Sequence, residues 1–362
     1  MSTSAALKSA SSPAVDRIWF TRCPVPTATG LAYKLGWLTE EFARDGIPLS
    51  TLQEDARNSD LARHHYDHEL STLIREGGNM LSIAARAQGA KTRLIGLTWI
   101  DEGQAIIVRP DSGITEPKHL KGRRLALPQF IDHPIASHVR GSSIGRGMTL
   151  AGVRGALAYA GLSFDDVQFV EVEAHRGSAT PTGATSTPQS LQNLWWGLTD
   201  LAAGRVDAVY VKGASAVDAA KRLGVVVGID LDALPDRRFR VNNGTPRPIT
   251  VHEDFLNDHL ELVSRFIAQS LRAADWAADN EAGVREVLES ETRGSADGVA
   301  AAYRNQFHKS LHPDLSAERL ALFRKQIDFL LLHGFLERDF DLAQWADHRP
   351  LQRARELLAE RR

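Results

Sequence analysis

Short apolar runs alternate with helix-patterned segments up to about residue 230, and that alternation restricts the chain to an α/β fold. RIWFT (Arg17–Thr21) has the period of a first strand. Pro24 and Pro26 then hold the chain extended, and Thr27 is placed to cap a helix running to about Leu35. A second helix, LTEEFARDG, ends at Gly46, and PLSTLQ (Pro48–Gln53) reads as the next strand, an order that predicts a parallel sheet. GGNMLSIAARAQG forms a helix to Gly89, followed by strands RLIGLTWI (Arg93–Ile100) and QAIIVRP (Gln104–Pro110), the latter leading into a second domain. That domain contains RRLALP (Arg123–Pro128), the helix MTLAGVRGALAYAG, the strand VQFVEVE, the helix SLQNLWWGLTDLAAGRV, the strand DAVYVKG (Asp207–Gly213) and a return crossing VVVGID (Val225–Asp230). From His252 onward the pattern is mostly helical.

The 362 residues suffice for two domains. The expected division is a disordered N-terminus over 1–15, a discontinuous first lobe of 16–109 plus 230–362 carrying the C-terminal helices, and a second lobe of 110–229. A chain that crosses from one lobe to the other and back leaves a cleft, where ligands meet strand C-termini and helix N-termini. A net charge of -2 gives no electrostatic reason for a nucleic-acid or membrane partner. The longest apolar run near the start is Ala5-Ala6-Leu7, against the roughly 7–15 residues of a secretory signal, so a cytoplasmic protein is expected. A monomer is the default expectation. Gly177–Pro188 reads as a surface loop.

Two constellations carry chemistry. Cys23 is the only cysteine, so it has no intrachain disulfide partner, and it lies between a strand and a helix N-terminus. Such a position lowers a thiol's pKa, although a free cysteine also serves as a small buried residue. The second constellation is HHYDHELSTLIREGGN (His64–Asn79). Arg75 and the amides of Gly77 and Gly78 are suited to hold a small oxyanion, with the neighbouring histidines as acid, base or donor; a solvated polar loop is the plain alternative. His64 and His68 stand four apart without cysteine or carboxylate companions at a metal-site spacing, so no metal is expected. GRGM at Gly145 lacks the GKS/GKT of a phosphate loop, and no GxSxG is present. Trp195 and Trp196 fit core packing better than the cleft, and Asp132, His133 and Arg140 are candidates to reach the cleft from the second lobe.

Cys23-Pro24-Val25-Pro26, followed by His65, Arg75, Gly77 and Gly78, resembles the 2'-hydroxybiphenyl-2-sulfinate desulfinase family. LKGRR, DDVQFV, GRVDAVY and FDLAQWA fall in the corresponding order, so the resemblance extends from about residue 17 to 347. It departs at Leu70-Ser71, where the family tends to carry a Gln-Pro pair. The resemblance implies a two-lobed fold of the type II periplasmic-binding-protein kind, shared with sulfonate and taurine transport proteins. It implies a catalytic Cys23, an active-site His65, and Arg75 with Gly78 holding the sulfinate oxygens; Gly77 and His68 join the expected substrate-binding set.

The implied reaction cleaves the carbon–sulfur bond of an aryl sulfinate and releases sulfite. Arg75 and backbone amides orient the sulfinate, Cys23 either protonates the ipso carbon as a thiol or attacks sulfur as a thiolate, and the implied reaction requires no metal or organic cofactor. Two other functions fit the same cleft: a substrate-binding protein of a sulfonate or taurine transporter, and a decarboxylase of a hydroxylated aromatic acid.

Overall fold

The computed structural model describes residues 14–22, 25–52, 59–130, 143–173, 195–292 and 294–360. Cys23, Pro24, Asp132, His133, Arg140 and Gly177–Pro188 lie outside the described residues.

Two five-stranded sheets organise the chain. The first begins with β1 (Ile18–Thr21), β2 (Leu49–Thr51), β3 (Leu73–Glu76) and β4 (Thr92–Thr98). The second holds β5 (Ala105–Val108), β6 (Arg124–Pro128), β7 (Gln168–Val172), β8 (Ala208–Val211) and β9 (Val226–Asp230). The chain then returns as β10 (Arg247–His252), which inserts between β3 and β4, giving the orders β2-β1-β3-β10-β4 and β7-β6-β8-β5-β9. Both sheets are mixed rather than parallel. β10 runs antiparallel to β3 and β4, and β5 runs antiparallel to β8 and β9.

Helices α1 (Ala28–Lys34), α2 (Trp37–Ala43), α3 (Ser59–Asp67) and α4 (Asn79–Ala87) connect the strands of the first sheet. α5 (Ile144–Tyr159), α6 (Leu198–Ala202) and α7 (Ala214–Arg222) accompany the second. After β10 come α8 (Glu253–Asp258), α9 (Leu260–Asp279), α10 (Glu281–Thr292), α11 (Ala296–Ala302), α12 (Ala317–Leu332), α13 (Leu342–Trp345) and α14 (Arg349–Glu360). The C-terminal helices pack back on the first sheet: Phe266, Ile267, Phe323, Trp345 and Leu351 share one core with Ile18, Phe20, Ile74 and Ile249. No described helix is long and apolar enough to cross a membrane.

Several expected elements change. The histidine-rich stretch is a helix, α3, rather than a loop. Leu73–Glu76 and Arg247–His252 are strands that the alternation did not reveal, because burial on both faces of an inner strand removes the polar period. The same burial explains why Ala105–Val108, expected in the first lobe, pairs in the interior of the second sheet. The helix expected through Trp195 and Trp196 does not run continuously: Gly197 takes a left-handed φ of 94° and α6 starts after it. Trp195 is 7% exposed in the core of the second sheet, with Ala126, Val172 and Val211. GRGM forms the first turn of α5.

α5 depends on glycines for its approach to its neighbours. A Cβ on Gly155 would stand 2.0 Å from the Phe239 carbonyl oxygen, a backbone atom that cannot swing away. Gly155→Ala gains up to about 1 kcal/mol of helix propensity yet is expected to cost roughly 1–3 kcal/mol net through overpacking. A urea titration should show a lower midpoint at unchanged slope; an unchanged or higher midpoint would contradict the close packing.

Candidate functional site

The site is assembled at the C-terminal ends of β1 and β3, which lie side by side in parallel with Thr21 opposite Arg75. Side chains alternate along a strand, so consecutive residues on β3 face opposite ways. Arg75, 1% exposed, is held on one side, and Glu76, 0% exposed, reaches the hydroxyls of Thr27, Thr29 and Thr98 on the other. Burial raises the Glu76 pKa, against those hydroxyls and Arg247.

Arg75 Nε donates to the His65 carbonyl oxygen at 3.1 Å, and Nη2 donates to the Gly78 carbonyl at 3.2 Å. The same Nη2 lies 3.5 Å from His65 Nε2. A guanidinium only donates, so Nε2 is the bare nitrogen of the ring, and Nδ1–H donates to Thr21 Oγ1 at 3.0 Å. Burial, reinforced by the Arg75 charge, holds the His65 pKa well below its ordinary value. Gly77 is needed for this packing: a Cβ there would stand 2.9 Å from Arg75 Nη2.

Gly78 caps the N-terminus of α4 and has no room for a side chain, since a Cβ would lie 2.5 Å from Asn243 Nδ2. The first amides inside the helix are already engaged. Asn79 N donates to the Asn243 carbonyl at 2.7 Å and Met80 N to Asn243 Oδ1 at 2.9 Å. Gly77 N donates to the Pro248 carbonyl at 3.4 Å. The Gly78 N–H makes no hydrogen bond among the described residues. Of the two glycine amides expected to hold an oxyanion, Gly77 is committed to β10, whereas Gly78 has no acceptor among the described residues.

The segment leading to Cys23 is fixed from a distance. Arg22 makes a two-pronged contact with Glu291 on α10, at 3.1 Å from Nε and 2.9 Å from Nη2, and Lys34 reaches the same carboxylate at 2.8 Å. Burial alone would raise the Glu291 pKa, but Arg22 and Lys34 bring it below the ordinary value. Beyond the Cys23-Pro24 pair, Thr27 caps α1 by accepting from Gly30 N at 2.9 Å.

His68 follows directly on α3. It is 4% exposed, takes a φ of 60° after the end of α3, and donates from Nδ1 to the Tyr66 carbonyl at 2.9 Å. His64 pairs with Asp67 at 2.8 Å. Among the described residues no three histidine, cysteine or carboxylate side chains are grouped as metal ligands. Sequence reasoning missed Asn243, Glu291 and Glu76. Asn-Asn-Gly at 242–244 is a turn signal, but nothing in it points to Gly78.

His65 should therefore remain neutral through the range where an ordinary imidazole titrates. Its folded-state pKa is lowered, so the unfolded chain binds the extra proton first; stability tied to His65 is full above about pH 6.5 and falls as pH drops through the folded pKa. Carbon-13 labelled histidine should show no His65 titration between about pH 6 and pH 8, whereas a midpoint near the ordinary value would refute the arrangement.

No family model matches the chain. It is 27% identical over 356 residues to the 2'-hydroxybiphenyl-2-sulfinate desulfinase of Rhodococcus erythropolis, covering 91% of each chain, and equally similar to that of Rhodococcus qingshengii. The crystal structure of the desulfurization enzyme DSZB superposes with a TM-score of 0.72 at 24% identity, covering 94% of this chain and 99% of that one. A variant of that enzyme in complex with biphenyl-2-sulfinic acid gives 0.73, with the same identity and coverage. The periplasmic aliphatic sulphonate binding protein SsuA from Escherichia coli gives 0.63 at 15% identity over 92% and 93% of the two chains. The architecture is thus the two-lobed α/β fold of the periplasmic binding proteins. The chain is thus similar in sequence to these desulfinases and shares its fold both with the desulfurization enzyme and with the sulphonate-binding protein.

Proposed function

We propose that the protein is a desulfinase that cleaves the carbon–sulfur bond of an aryl sulfinate and releases sulfite, with Cys23, His65 and Arg75 as its catalytic residues. The observation that carries this reading is the meeting of Arg75, neutral His65 and the Gly78 amide at the strand ends where the chain enters Cys23. Kinship in sequence to a sulfinate-cleaving enzyme supports the same assignment.

In this mechanism the sulfinate sits with its oxygens toward Arg75 and the helix N-terminus, which complement a single negative charge. The Cys23 thiol gives its proton to the ipso carbon. The carbon–sulfur bonding pair returns to the ring, and sulfur departs as SO2. Water adds to SO2 to form bisulfite, and the proton released restores the thiol. Protonation of carbon avoids bringing a thiolate against an anionic sulfur, which like-charge repulsion disfavours. His65 contributes a fixed imidazole without a second positive charge. No redox partner is needed, since the sulfinate and water supply every atom of the products.

Purified protein incubated with a panel of aryl and alkyl sulfinates is expected to release sulfite, and Cys23→Ser to lower the rate by at least about 100-fold, as loss of a proton-transferring group does. Sulfite release undiminished in Cys23→Ser would remove the cysteine from the mechanism. No release by either protein, with an alkyl sulfonate raising the melting temperature of both equally, would favour a binding protein of the transporter type instead.

A further inference from the structure

Asn243 presents an amide group to the site from the segment between β9 and β10. The residue is 7% exposed. Its Oδ1 accepts from Met80 N at 2.9 Å, which fixes the orientation of the side-chain amide, because the opposite flip would set two donors against each other. Nδ2 is thereby presented as the donor. It has no acceptor among the described residues. It also lies beside Gly78, 2.5 Å from where a Cβ on that residue would stand, and the Gly78 N–H likewise has no acceptor there. Two neighbouring donors without acceptors among the described residues, at the positive end of a nine-residue helix and close to a buried arginine, suit an anion with at least two oxygens.

We propose that Asn243 is a substrate-binding residue that donates Nδ2–H to one oxygen of the sulfinate, beside the Gly78 N–H and Arg75. This rests on the reading of the cleft as a sulfinate site. It also gives Gly78 a second requirement: a side chain there would displace the Asn243 amide as well as block the approach of the ligand. The helix contributes one amide, not three, because the Asn243 carbonyl and Oδ1 occupy the next two.

The test is calorimetric titration of the wild type, Asn243→Asp and Asn243→Ser with biphenyl-2-sulfinate and, separately, with neutral 2-hydroxybiphenyl. Aspartate keeps an acceptor for Met80 N and lacks the donor; serine is too short to reach. Sulfinate affinity is expected to fall by roughly 10- to 100-fold in both variants, the worth of a hydrogen bond to a charged group, while affinity for the neutral ligand stays within about twofold. Sulfinate affinity retained in Asn243→Asp, or an equal loss for both ligands, would overturn the role of Asn243 and leave the desulfinase reading standing. A wild type that neither binds biphenyl-2-sulfinate nor releases sulfite from any sulfinate would overturn both. Where the variants fail to fold, the side-chain amide resonances of Asn243 in nitrogen-15 labelled wild type decide: they should move when biphenyl-2-sulfinate is added, and unmoved resonances overturn the assignment.

Discussion

A helix that begins inside a protein brings amide donors that water cannot reach, and α4 begins among fully buried residues. Its solution is the segment 242–246. Asn79 N and Met80 N donate to Asn243, and the Asn79 side chain donates to the carbonyls of Asn242 and Pro246 at 2.7 and 2.9 Å. Gln326 Nε2 on α12 donates to Asn79 Oδ1 at 3.2 Å, so the side-chain amide of Asn79 is fully ordered by its surroundings. The position of Gly78 relative to Arg75 follows from this fastening, since one end of the turn belongs to β3 and the other to α4.

The same segment is one of the two crossings between the sheets, which joins the site to the second sheet through buried polar groups. Asn242 Nδ2 donates to Tyr210 Oη at 2.6 Å, to Gln104 Oε1 at 3.2 Å and to the Met148 carbonyl at 3.2 Å. At the other crossing, Glu102 binds Arg247 and lies 3.2 Å from Lys212, and its carbonyl accepts from Gly213 N at 2.7 Å. Burial would raise the Glu102 pKa, but Arg247 and Lys212 hold it below the ordinary value. A buried ion cluster of this kind contributes little net stability, because desolvation offsets the attraction, but removing one member is costly. Its consequence here is geometric. β4, β8 and β10 meet at Glu102, so the two sheets are fixed to each other beside the site rather than only along their rims.

The sequence made the local parts of this legible. Thr27 as a cap and Gly46 as a stop are statements about residues within a few positions of one another, where steric and hydrogen-bonding rules act directly. The parts that escaped depend on distant partners. β3 and β10 carry no polar period because both of their faces are covered. Asn243 is brought to Gly78 across more than 160 residues, and Glu291 to Arg22 across 269 positions in the chain. The histidine-rich stretch is polar enough to pass for a loop, yet a helix is what carries His65 to Arg75, with its backbone carbonyl and its ring both turned to the same guanidinium.

The charge state of that pair bears on what the cleft can do. Arginine stays protonated at any physiological pH, so the permanent positive charge beside Gly78 is set by Arg75. A protonated His65 would add a second charge within 3.5 Å of the first, in surroundings that screen poorly, and would turn an N–H toward a group that only donates. Lowering the His65 pKa removes both conflicts. On the desulfinase reading this restraint is useful, because interactions equally strong before and during reaction tighten binding without accelerating the step. One fixed positive charge and oriented neutral donors match a monoanionic sulfinate, and they hold the departing SO2, which is neutral, less tightly than the substrate it came from. A site built on two full cations would favour the anionic ground state further and resist the loss of charge that the reaction requires.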